Sequence, residues 1–118
     1  MGLLLLVALF LGAQLFSGGW TARPEMEPYV KAGTRAGAER LQRDLLAAHP
    51  PGANLGPLMA RLQRYGFTCH PVRKDGVAET CRFRLRRSDD QVLTAEVDLG
   101  HDGLVVQAIA VRMALAPN

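Results

Sequence analysis

Cys69 and Cys81 are the only two cysteines in a chain of 118 residues, and Lys74-Asp75-Gly76 falls between them. Their chemistry is limited to a disulfide, a buried pair of thiols, or metal ligation. With His70 they offer three soft ligands. No CxxC or HxxxH spacing accompanies them, and neighbouring positions 69 and 70 point to opposite sides of a strand, so no metal site is expected. Serine occurs only at 17 and 88, which leaves no Ser/His/Asp set to assemble. Glu96 and Asp98 lie two apart, so a strand would aim both carboxylates the same way. Such a pair can do acid–base work or can simply line a wet face. His101-Asp102 falls in a predicted turn, and no glycine-rich phosphate loop is present. The residues therefore point to no catalytic group and no cofactor, and to a protein that is not an enzyme.

A disulfide requires an element that places the two sulfurs together. If Lys74-Asp75-Gly76 is a three-residue hairpin loop with Gly76 left-handed, paired positions are fixed. Cys69 then faces Cys81, Phe67 faces Phe83, and Tyr65 faces Leu85. The opposite face carries Thr68, His70, Arg82, Arg84 and Arg86. One register satisfies cysteines, aromatics and arginines together. Closing this short loop would stabilise the fold by about 2–3 kcal/mol.

The remaining elements follow from periodicity. Thr34 to Ala48 carries Leu41, Leu45 and Ala48 at helical spacing. Leu58, Met59, Leu62 and Tyr65 form a second helical stripe that starts behind Pro57 and ends at Gly66. Val92 to Leu99 alternates as a half-buried strand. The turn 100–103 leads into an apolar strand, 104–113, read as central or doubly covered. Its inward set is either Val105, Ile109 and Val111 or Val106, Ala108 and Ala110, and a bulge would use both. Residues 113–118 read as a fraying tail. The expectation is an α+β fold with an N-terminal hydrophobic helix, transmembrane or signal, followed by two helices packed on a four-stranded antiparallel meander. The division is an anchor or signal at 1–20, a linker at 21–33 with Pro24 and Pro28, and a domain at 34–116.

All 14 basic and 11 acidic side chains follow Trp20. Residues 1–20 read either as a membrane anchor or as a signal peptide cleaved near Ser17-Gly18-Gly19. Gly2 to Trp20 would span ~28 Å as a helix, with Trp20 at the membrane interface. Arg23, Lys31 and Arg35 favour a cytoplasmic C-terminal side, against the oxidising space that a disulfide prefers. An inner-membrane anchor with a periplasmic domain is the expected location; a periplasmic or secreted protein is the alternative.

The clearest surface feature is basic. Arg82, Arg84 and Arg86 line one strand face, Arg87 adjoins them, and Arg73 with Lys74 sits at the hairpin tip. Such charge either blunts a sheet edge or docks something anionic. No exposed aromatics interleave for base stacking, and nucleic acid is not an expected partner.

Pro50-Pro51-Gly52, the short helix after it, Gly66-Phe67-Thr68-Cys69, the second cysteine and the final Asp102-Gly103 hairpin together resemble small exported two-layer α/β domains. These are domains of the BamE and β-lactamase-inhibitor-like type. The resemblance covers residues 49 to 111, and the lipid-accepting cysteine of the BamE type is missing. It implies a binding or scaffolding module. The expected role is an accessory subunit on a larger membrane protein complex, with anionic lipid headgroups as a further contact.

Overall fold

The computed structural model describes residues 24–74 and 76–117. The hydrophobic segment 1–20 and Trp20 lie outside the described residues. The order is α1 (Glu27–Lys31), α2 (Thr34–Ala48), α3 (Leu55–Tyr65), β1 (Thr68–Lys74), β2 (Val77–Ser88), β3 (Gln91–His101) and β4 (Val106–Pro117). The strands form one antiparallel sheet in the order β1-β2-β3-β4. The described residues form an α+β fold with three helices and a four-stranded antiparallel sheet.

The stretch read as linker holds a helix. Pro28 sits in the first turn of α1, where a missing N–H breaks no helical bond. Met26, Tyr29 and Val30 are buried, so the folded chain starts ahead of residue 34. Tyr29 Oη donates to Asp44 Oδ2 at 2.8 Å, which ties α1 to α2. Burial first, and then Asp44, push the Tyr29 phenol well above its ordinary range. The two helices approach so closely that a Cβ at Gly37 would lie 2.2 Å from the Tyr29 carbonyl oxygen.

Helix α2 buries Ala38, Leu41 and Leu45, and α3 buries Leu58, Leu62 and Tyr65. Their partners are Cys81, Phe83 and Leu85 of β2, Leu93, Ala95, Val97 and Leu99 of β3, and Ile109 and Val111 of β4. Alternation places these strand residues on one face. The rings of Phe67 and Phe83 pack with centroids 5.6 Å apart.

The first hairpin keeps the expected register, with Thr68 opposite Arg82 and Cys69 opposite Cys81. Its turn is shorter than predicted. Lys74 pairs with Val77, so two residues rather than three close it, and the slip is absorbed between Pro71 and Lys74. Gly76 takes the left-handed conformation, φ +76°. Tyr65 is not a strand residue: it ends α3, and Leu85 pairs with Leu93 instead.

The last strand departs further from its sequence reading. It is an edge strand, covered on one face. A register shift at Gly100/His101 buries Val106 before it and Ile109 and Val111 after it, so both candidate sets contribute. The tail is not frayed, because Gln91 pairs with Pro117 and Leu93 with Leu115. The segment 50–54 is stitched to the start of β4: Gly52 N–H donates to the Val106 carbonyl at 2.7 Å, and Val106 N–H to the Ala53 carbonyl at 2.8 Å.

Candidate functional site

The helices cover one face of the sheet. The other face carries Thr68 and His70 from β1, Thr80, Arg82, Arg84 and Arg86 from β2, Thr94, Glu96 and Asp98 from β3, and Ala110, Arg112 and Ala114 from β4. Register brings the charges into a cross-strand ladder, since Arg82 faces Glu96 and Glu96 faces Arg112. Arg82 Nη2 lies 3.2 Å from Glu96 Oε1, and Arg112 Nη2 lies 2.8 Å from Glu96 Oε2. Arg112 Nη1 also binds Asp98 Oδ2, and Thr80 Oγ1 donates to Asp98 Oδ1 at 2.8 Å. The Asp98 and Glu96 hydrogen bonds raise the Arg112 guanidinium further above its ordinary value. Glu96 and Asp98 are therefore committed to arginine, and their carboxylates hold the sheet face in register.

Arg84 and Arg86 continue the row beyond this ladder. Strand β1 starts at Thr68, opposite Arg82, so the second half of β2 pairs with β3 alone. Edge protection thus applies to Arg84 and Arg86 but not to Arg82, which lies between two strands. Arg87 is exposed at the register shift between Arg86 and Ser88. Arg73 and Lys74 fall in β1 at the opposite end of β2 from Arg86, so the six basic residues singled out from the sequence do not form one cluster. Arg112, absent from that set, joins the arginine face from β4. The β3–β4 register that brings it there depends on the bulge at Gly100/His101, which the sequence left open.

Cys69 and Cys81 are joined as a disulfide with Cα atoms 3.8 Å apart. Cys81 is fully buried and Cys69 half-buried. Glu79 stands beside them, with its carboxylate and both sulfurs within 4.8 Å of one another. Bonded to each other, the sulfurs carry no thiolate to bind a metal.

Two of the three histidines, His49 and His101, are engaged. His49 is buried, and its Nε2 accepts from Arg61 Nε at 2.9 Å; Arg61 Nη1 also reaches Tyr65 Oη at 3.2 Å. Burial first, and then the Arg61 charge, lower the His49 basicity. His101 Nδ1 accepts from the Gly103 N–H at 2.9 Å, and its Nε2 lies 3.5 Å from Glu79 Oε1. Asp102 Oδ1 accepts from the N–H groups of Val105 and Leu104, which pull its carboxyl below the usual range. The His101-Asp102 pair is thus occupied in shaping the turn.

A groove of ≈ 1110 Å³ runs between α2 and β4, bordered by Ala38, Gln42, Leu46, Val111 and Met113. Among the described residues no helix is long and apolar enough to cross a membrane. Compared with known proteins, the chain matches no family model, no curated protein and no solved structure.

Proposed function

We propose that this protein is a non-catalytic accessory subunit that docks on an acidic patch of a larger membrane protein complex through the open face of its sheet. In this reading residues 1–20 anchor it to the inner membrane, with the domain in the periplasm. The observation that carries the reading is the arrangement of Arg82, Arg84, Arg86 and Arg112 on the face that no helix covers, where Glu96 and Asp98 bind Arg82 and Arg112. Four guanidiniums against two carboxylates give this set of side chains a net positive charge, which favours an anionic partner and speeds encounter. The disulfide supports an oxidising compartment. The same features serve a periplasmic or secreted binding module if residues 1–19 are removed, and intact mass of the purified protein separates the two.

The test replaces Arg82, Arg84 and Arg86 by Ser together and follows co-purification from native membranes in mild detergent, with anionic vesicles as a second arm. A phosphatidylserine surface attracts about 1 kcal/mol per arginine, so three losses weaken vesicle binding by roughly 100-fold. An unchanged complex and unchanged vesicle binding, in a variant with wild-type melting, refute the reading.

A further inference from the structure

The two outer strands of the sheet are defended very differently. Strand β1 carries Pro71, a register shift between Pro71 and Lys74, and the basic pair Arg73-Lys74, which are the usual devices against edge pairing. Strand β4 has twelve residues, a single charge at Arg112, and proline only at its last position. Its free edge is oriented by the ladder itself. Cys69 and Cys81 form a closely spaced pair, so Cys81 turns its backbone groups toward Val97, and Val97 turns its own away from Val111. The Val111 N–H therefore points outward, where Gln42 Oε1 accepts it at 2.9 Å. By alternation Ile109, Met113 and Leu115 present their amides and carbonyls in the same direction, and Leu115 is 51% exposed.

The α2–β4 groove lies along this edge. Two rows of α2 residues wall it. The inner row, Ala38, Gln42 and Leu46, is small or apolar apart from the amide that already bonds Val111. The outer row is Arg35, Glu39 and Arg43, alternating plus, minus and plus. These side chains are 93%, 71% and 75% exposed, and Arg35 meets Glu39 only at 3.5 Å. Exposed pairs of this kind are weak and exchange readily. Positions four apart on a helix rise ~6 Å, and positions two apart on a strand rise ~6.8 Å, so the two repeats run nearly in step.

We propose that the β4 edge is a strand-addition site for an extended segment of a partner protein bearing an acidic-x-basic-x-acidic pattern on its helix-facing side. The segment's backbone pairs with Ile109, Val111, Met113 and Leu115, its carbonyl replaces Gln42 at Val111, and its charges meet Arg35, Glu39 and Arg43. The charge pattern reads the same in both directions, so it selects composition and not strand polarity. No acidic-x-basic-x-acidic run occurs in this chain, which favours a foreign segment over its own. This site is on the rim of the sheet, and its groove reaches Glu96 and Arg112 at the border of the open face.

The probe is a blocked heptapeptide, Thr-Glu-Val-Lys-Val-Glu-Thr, titrated into the 15N-labelled full chain. A second peptide exchanges its Glu and Lys residues. Slowed amide exchange at Ile109, Met113 and Leu115 and a shifted Gln42 side-chain amide are expected with the first, which binds roughly tenfold tighter than the second. The variant combining Arg35→Glu, Glu39→Lys and Arg43→Glu inverts that preference. Leu115→Pro removes one outward N–H without touching the bonds to β3, and weakens both peptides. Equal binding of the two peptides, protection elsewhere on the molecule, or no binding overturns the proposal. So does concentration-dependent protection of these amides without peptide, with a dimer in sedimentation, because the edge then pairs with a second copy.

Discussion

Replacing Gly37 by Ala tests whether α1 is part of the fold. In an ordinary helix interior this change stabilises by about 1 kcal/mol. Here the new Cβ meets the Tyr29 carbonyl oxygen at 2.2 Å and its carbon at 3.1 Å. Those atoms are backbone, so no rotamer change relieves the contact, and α1 must move as a unit. Overpacking of this sort costs about 1–3 kcal/mol. If α1 lifts away, Met26, Tyr29 and Val30 lose burial worth up to ~2 kcal/mol each. A backbone contact this short puts the cost at the top of that range, so set against the propensity gain the expected net loss is about 2 kcal/mol, or a fall in Tm of roughly 8 °C or more. Gly56, in the first turn of α3, is the comparison: a Cβ there meets nothing within 4 Å apart from its own chain neighbours, but Pro57 disfavours a helical residue with a Cβ before it, so Gly56→Ala changes stability by less than about 1 kcal/mol. Urea unfolding followed by circular dichroism reads both variants. A Gly37→Ala protein as stable as wild type, or more stable, refutes the close docking of α1 on α2.

Two other perturbations have defined signs. Reducing the Cys69–Cys81 bond, which spans a sequence separation of 12, costs about 3 kcal/mol and exposes the β1 amides to exchange before the rest of the sheet, because β1 pairs with β2 alone; equal urea midpoints with and without reductant contradict this. The buried His49 is held neutral by desolvation and by Arg61, below its ordinary value of 6.5, so the unfolded chain binds the extra proton. Stability is therefore complete above that pH and declines as pH falls through 6.5, and His49→Gln flattens the decline between pH 7.5 and 5.5. A wild-type curve parallel to that of the variant means His49 carries no such linkage.

The sheet's first hairpin was legible because three independent constraints met in one register: two cysteines, two phenylalanines and a row of arginines. Helices α2 and α3 were legible from apolar spacing and from Gly66 at the end of α3. Helix α1 was not, because two prolines within five residues argue against helix until tertiary contact buries Met26, Tyr29 and Val30. The length of β4 was missed for a similar reason. Residues 114–117 have no strong signal of their own and become strand only by pairing with residues 91–94 of β3. The bulge at Gly100/His101 then decided which carboxylates Arg112 meets, and no local pattern fixes a bulge. Register errors of one residue move every side chain to the other face, so the arginine–carboxylate ladder required the fold.

The burial of Met26 also sets a length. It is 0% exposed, so the chain is already fixed to the core at that residue. Residues 21–25 can extend at most ~17 Å. A domain held by residues 1–20 would then ride close against the bilayer, within reach of partners lying at the lipid surface and of none standing far above it.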